Sequence, residues 1–258
     1  MKTRIAMAAA ALLLLLGGIV HLFPEGADAA HAVPSATAPA AYPADFAERL
    51  ARVQGVALRS AGHAELPRGL AWQNAEAEED IGDPAARKGG TLNLSNAGPY
   101  PANFLHFGST MPQFFHYSLF RMLEIPLVAR HPASGATIPG TASEWAVEGR
   151  TVFFRLNARA RFSNGRPLRA ADYLLGALLR LECGCAEGDE IRDAVEGVTA
   201  SDDGVLTVTL RRDAHRAEQV AARLLHPAEP GFYAEFGSDY RERYARRFDY
   251  LIGIEDEF

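Results

Sequence analysis

The chain has 258 residues, with 26 Lys and Arg against 32 Asp and Glu, for a net charge of −6. That acidic balance excludes a nucleic-acid backbone as principal partner, because phosphate binding needs clustered positive charge. The length suffices for one large domain or one and a half, and the near-absence of lysine (Lys2 and Lys88 only) beside abundant Arg and Ala is a coding bias, not chemistry.

The first residues address the chain to a compartment. Lys2 and Arg4 precede the apolar run Ile5 to Phe23, in which Leu12 to Leu16 is unbroken. Pro24, Glu25 and Gly26 then break any helix, and Ala27 and Ala29 offer small residues for a peptidase. Charge, apolar stretch and small-residue exit in that order predict a secretory signal peptide over residues 1–29. The competing reading is an uncleaved anchor, since about 18 apolar residues can span a bilayer. Gly17, Gly18 and His21 weaken its far end, and no Cys follows the run to carry a lipid. Cleavage after Ala29 removes Lys2, Arg4, Glu25 and Asp28 together, so the net charge stays at −6. The expected location is periplasmic or otherwise extracytoplasmic.

Residues 30–66 read as a flexible or wrapping N-terminal segment, with Ala, Pro, Ser and Thr dominating as far as residue 44. Within it, Asp45 to Val53 fits a short helix that sets Phe46, Leu50 and Val53 on one side. The polar stretch on to Lys88, interrupted by Pro67 and Pro84, is expected to wrap over the surface. Thr91 to Ser95 reads as a strand, and Gly98, Pro99 and Pro101 enforce an irregular loop after it. Gln113 to Leu123 has a helical pattern. Ile125 to Arg130 reads as a strand ended by a turn around Pro132 to Gly135.

The clearest strand is Thr151 to Leu156, where Val152, Phe154 and Leu156 share a face by the two-residue period. Ser163-Asn164-Gly165 signals a turn, and Ala170 to Leu181 is a strong helical pattern. Val195 to Ala200 and Val205 to Leu210 flank Asp202-Asp203-Gly204, a hairpin turn whose residues tolerate positive φ. Ala214 to Leu225 and Phe232 to Phe248 read as helices. Strands and helices mix without strict alternation, so the fold class is α+β, or mixed α/β.

Cys183 and Cys185 are separated only by Gly184. An exported compartment favours pairing, whereas a bridge across one residue is geometrically awkward. Unpaired thiols at a helix end, a disulfide, or a metal site using Glu182 and Glu187 all remain open at this point.

The order of these motifs resembles the peptide and nickel class of bacterial extracellular solute-binding proteins. Lys88-Gly89-Gly90-Thr91-Leu92 is similar to that class's opening strand. Pro139 to Trp145 resembles its Pro-x-Leu-Ala-x-x-Trp entry to a strand, with Thr141 where Leu is usual. Thr151 to Leu174 is similar to its most typical stretch, and Val195 to Leu210 fits the hairpin that follows. Pro227 to Tyr244 resembles the subgroup of microcin and long-peptide binders. The likeness runs from about Leu66 to Phe248. At Arg169 the class usually carries a capping Thr. Arginine cannot accept a hydrogen bond, so the helix start is expected to be weaker by roughly 1 kcal/mol.

The resemblance implies a two-lobed binding protein whose lobes enclose solute on a hinge. Residues 67–258 would then be an incomplete first lobe, since the class is longer and adds a second one. It also implies that the loop after the first strand faces the cleft, making Ser95, Asn96, Tyr100 and Phe104 the candidate substrate-binding residues. Tyr and Phe would pack on ligand side chains, and Ser and Asn would bond its backbone. The plainer assignment for Tyr100 and Phe104 is to cover the core. Trp145 reads as structural, and Asp172 as a helix-start residue favoured by the dipole.

Catalytic signatures are missing from the sequence: no Gly-x-Ser-x-Gly elbow, no His-Glu-x-x-His pair, no phosphate loop. The acidic run Glu76, Glu78, Glu79 and Asp80 reads as a solvated surface, and the histidines are scattered. The expectation is therefore not an enzyme, and no cofactor. It is a binding component for an ABC importer of oligopeptide-like solutes, or a truncated remnant of one. Its partners would be the solute, the permease, and a second chain supplying the other lobe. The alternative is an exported envelope interaction domain of the same fold that binds no solute.

Overall fold

The computed structural model describes residues 41–75, 78, 85 and 124–233. The leader, the strand expected at Thr91 to Ser95, the helix expected at Gln113 to Leu123 and most of that expected at Phe232 to Phe248 lie outside them.

A five-stranded mixed sheet organises the described chain. In sequence the elements are helix α1 (Phe46–Arg52), β1 (Ala57–Ala61), β2 (Val128–Arg130), β3 (Thr137–Pro139), β4 (Ala142–Glu148) and β5 (Thr151–Leu156). There follow helices α2 (Ala170–Cys183) and α3 (Ala186–Ala194), strands β6 (Val195–Ser201) and β7 (Val205–Leu210), and helices α4 (Ala217–Leu224) and α5 (Pro230–Tyr233). The strand order is β1-β6-β7-β5-β4, with β2 and β3 forming a separate hairpin. Only β1 and β6 pair in parallel within the larger sheet. A mixed α/β fold results.

The two-residue period decides which side chains meet. Trp145 pairs with Phe154, and Phe154 with Leu206, so these residues share the face on which the core forms. Helix α2 covers that face at β1 and β6, and α4 covers it at β4, β5 and β7. Tyr173, Leu174 and Leu178 of α2 are wholly buried there, as is Ala221 of α4. A side chain such as Phe154, fully removed from water, contributes about 1.5–3 kcal/mol. Cross-strand register sets Ala146, Phe153, Thr207, Thr199 and Arg59 in one row on the opposite face.

The Asp202-Asp203-Gly204 turn joins β6 to β7 with Gly204 at φ +81° and its amide bonded to the Ser201 carbonyl. Strand β1 falls within the polar stretch expected to wrap over the surface. Its sequence ALRSA buries only Leu58, so it carries no alternating signal. Pairing with β6 makes it a strand.

Candidate functional site

The most elaborate polar constellation among the described residues lies where α2 begins. Asp172, in the first turn of α2, is wholly buried. Two guanidinium nitrogens of Arg166 each donate to it at 2.9 Å, one to each carboxylate oxygen. The Tyr42 hydroxyl donates to Oδ1 at 2.7 Å, and the backbone amide of Arg169 donates to Oδ2 at 2.7 Å. Glu229 approaches the other side of Arg166, with Oε1 4.0 Å from Nε. Burial alone would lower the Arg166 pKa, but hydrogen bonds and charge from Asp172 outweigh it and hold it above the ordinary value. Burial, reinforced by the Asp172 charge, raises the Tyr42 hydroxyl well above the tyrosine range.

This arrangement changes the account of the α2 start. Arg169 occupies the N-cap in extended conformation, and its side chain supplies no cap. Asp172 instead reaches back to the Arg169 amide, the acceptor half of a capping box. Tyr42 and Phe46 stack at 4.9 Å between ring centroids and pack beside Leu175, Leu179, Ala228 and Tyr233. Arg49 of α1 holds Glu182 near the far end of α2, with Nε 3.0 Å from Oε1. Residues 42–49 are thus fastened along α2 at both ends.

Two further contacts set the position of α2. Thr141, where the resemblance expects Leu, donates to the Pro126 carbonyl at 3.2 Å and lies 2.6 Å from the buried Tyr173 hydroxyl. Gly176 in mid-helix lies against the backbone of His226, so closely that a Cβ there would overlap its carbonyl. The His226 ring bridges Glu124 and the Arg223 carbonyl, at 2.8 and 3.0 Å. Trp145 is buried and its backbone pairs with Gln73 in both directions, which gives it a packing role. Trp72 stacks on the Arg155 guanidinium at 4.1 Å.

Cys183 and Cys185 form a disulfide. The awkwardness expected of a one-residue bridge is relieved by Gly184, whose left-handed backbone (φ 66°, ψ 30°) leaves the two Cα atoms 5.4 Å apart. That separation is ordinary for a disulfide.

None of the candidate ligand residues falls in this region. Ser95, Asn96, Tyr100 and Phe104 lie outside the described residues. Among the described residues no three His, Cys, Asp or Glu side chains are grouped to hold a metal, and no helix is long and apolar enough to cross a membrane. Sequence reasoning singled out Asp172 as a helix-start residue but missed Tyr42 and Arg166. The signal for Arg166 was its place in the turn six residues before a first-turn acid.

No protein-family model matches the sequence, and no curated protein does. Among solved structures the chain is similar to a periplasmic oligopeptide-binding protein of Borrelia burgdorferi at 17% identity and a TM-score of 0.45, covering 55% of this chain and 32% of that one. Haemophilus influenzae OppA, solved with the peptide RPPGFSPFR, matches at 22% identity and a TM-score of 0.43, over 54% of this chain and 31% of its own. NikZ of Campylobacter jejuni, solved with Ni(L-His), matches at 14% identity and a TM-score of 0.35, over 41% and 22%. These are binding proteins, and the chain spans about a third of their length or less. In structure the chain is similar, over about half of its residues, to part of the oligopeptide and nickel ABC solute-binding proteins.

Proposed function

We propose that this chain is an extracytoplasmic solute-binding component for an ABC importer of oligopeptide-like solutes, with the importer's permease as its protein partner. One observation carries the reading. The sequence motifs place a strand, an Asn-Gly turn, a helix and a hairpin in a fixed order, and β5, α2, β6 and β7 occupy those positions. The buried Arg166–Asp172 pair, the Thr141–Tyr173 contact and the α1 docking serve to hold this frame. The proposed role is binding without turnover. Ser95, Asn96, Tyr100 and Phe104 are the proposed ligand wall, taking an extended peptide through its backbone and leaving roomy pockets for its side chains.

The test is thermal unfolding of the chain without its first 29 residues, with and without a mixed oligopeptide pool. A ligand that binds only the folded state adds about 2.7 kcal/mol at 100 times its dissociation constant. A raised midpoint that is reduced in Tyr100→Ala supports the reading and its site. A cooperative transition that no peptide moves would favour the exported interaction domain instead.

A further inference from the structure

The Cys183-Gly184-Cys185 bridge has no part in the reading above. It sits at the corner between α2 and α3, with Cys183 closing one helix and Cys185 in the N-cap position of the next. Gly184 is exposed, and both cysteines are half-buried beside the cluster of Leu175, Leu179, Ala228 and Tyr233.

The corner is held by other contacts. Gly184 caps α2 in the left-handed conformation. Arg49 grips Glu182, the residue just before the bridge. Arg192 of α3 donates to the Leu181 carbonyl. Gly188 lies so close to the Arg180 carbonyl that a Cβ would not fit. A bridge closing only one intervening residue also restricts the unfolded chain very little. Opening it therefore leaves the fold standing.

The surroundings also suit the reduced form. The Arg180 carbonyl lies 3.1 Å from the Cys183 sulfur and 3.6 Å from that of Cys185. In the disulfide these are contacts, since neither sulfur carries a proton. Once reduced, the sulfurs must separate, and the same carbonyl remains an acceptor beside them. The Cys185 amide also points to the Cys183 sulfur at 3.2 Å, a donor for the sulfur in either state. One backbone arrangement thus accommodates both oxidation states.

We propose that Cys183 and Cys185 form a reversible thiol–disulfide exchange site that accepts two electrons from a dithiol. A thiolate of the donor attacks one cysteine sulfur. The S–S electron pair leaves on the other sulfur, which takes up a proton. The donor's second thiolate then attacks its own sulfur in the mixed disulfide and releases the second cysteine, which is protonated in turn. The chain gains two electrons and two protons, and the donor ends as a disulfide.

Dithiothreitol and its oxidised form, mixed in graded ratios with the full chain, are the probe. Thiols are counted by maleimide labelling and mass, and the fold is followed by circular dichroism. Two maleimides per chain under native conditions, returning to none as the oxidised form is raised, with the spectrum unchanged, is the expected result. Labelling only after denaturation would overturn the proposal, as would reduction that unfolds the chain. In a second arm, Cys185→Ser is treated with oxidised glutathione. One adduct on folded protein, removed by dithiothreitol, is expected; no adduct overturns the proposal even if the native bridge reduces.

Discussion

Arg166 and Asp172 meet as a two-bond ion pair at the start of α2, each guanidinium nitrogen 2.9 Å from its own carboxylate oxygen. The carboxylate is wholly buried and also receives the Tyr42 hydroxyl and the Arg169 amide. One side chain thereby joins the N-terminal segment, the turn before α2 and the helix itself.

Asp172→Asn keeps the shape and removes the charge that Arg166 faces. Losing one partner of a buried pair costs about 3–5 kcal/mol. Here Glu229, 4.0 Å from Arg166, is left as the remaining counter-charge, so the loss should fall toward the lower end of that range. Urea unfolding of the two proteins measures it. A loss below about 1 kcal/mol would make the contact no more important than an exposed pair.

Gly176→Ala provides a test of the α2 contact with the 225–228 segment. In a free helix this change stabilises by roughly 0.5–1 kcal/mol. Here the added Cβ would overlap the His226 carbonyl, which is backbone and cannot rotate aside. The Ala228 amide is also tied to the Asp172 carbonyl at 3.0 Å. Overpacking of this kind costs about 1–3 kcal/mol or more. Gly62→Ala, with nothing within 4 Å of its Cβ, is the control and should stay within about 0.5 kcal/mol of the parent.

What the sequence discloses follows from how local each signal is. Val152 and Phe154 advertise β5 because residues two apart share one face of a strand, although Phe153 between them is buried too, on the other face. Asp203-Gly204 advertises the hairpin because Gly204 takes positive φ. Strand β1 was illegible for the opposite reason. It buries only Leu58, and its existence rests on β6, which lies far along the chain. Tyr42 was hidden in the same way, in a segment whose composition reads as flexible, until its bond to Asp172 across 130 positions appears. The ligand wall at Ser95 to Phe104 came from resemblance alone.

Alkaline titration should register two tyrosines. Burial, then the charge of Asp172, raises the Tyr42 hydroxyl. Burial raises that of Tyr173, with Glu124 and Asp172 acting in the same direction. In the unfolded chain both ionise near pH 10. A group whose folded value is raised contributes stability that is complete below its unfolded value and lost as pH climbs toward the folded one. Stability should therefore fall with a measurable slope above about pH 10. Tyr42→Phe and Tyr173→Phe should each flatten that slope, whatever they do to stability at neutral pH. An unchanged slope in both variants would mean that neither hydroxyl is shielded.

Thr141 stands where the resemblance expects leucine, and its hydroxyl has a specific task. It has one proton, which goes to the Pro126 carbonyl. The Tyr173 hydroxyl, 2.6 Å away, must therefore be the donor to Thr141. Thr141→Val preserves size but leaves the O–H of wholly buried Tyr173 without its acceptor, at a cost of about 1–3 kcal/mol. Tyr173→Phe should cost less, since Thr141 keeps its bond to Pro126. If the two hydroxyls act as a pair, the double variant should fall short of the sum of the single losses by at least about 0.5 kcal/mol. Urea unfolding of the four proteins closes that cycle. Strict additivity would instead mean that the two hydroxyls are satisfied independently, and that threonine serves there only by its shape.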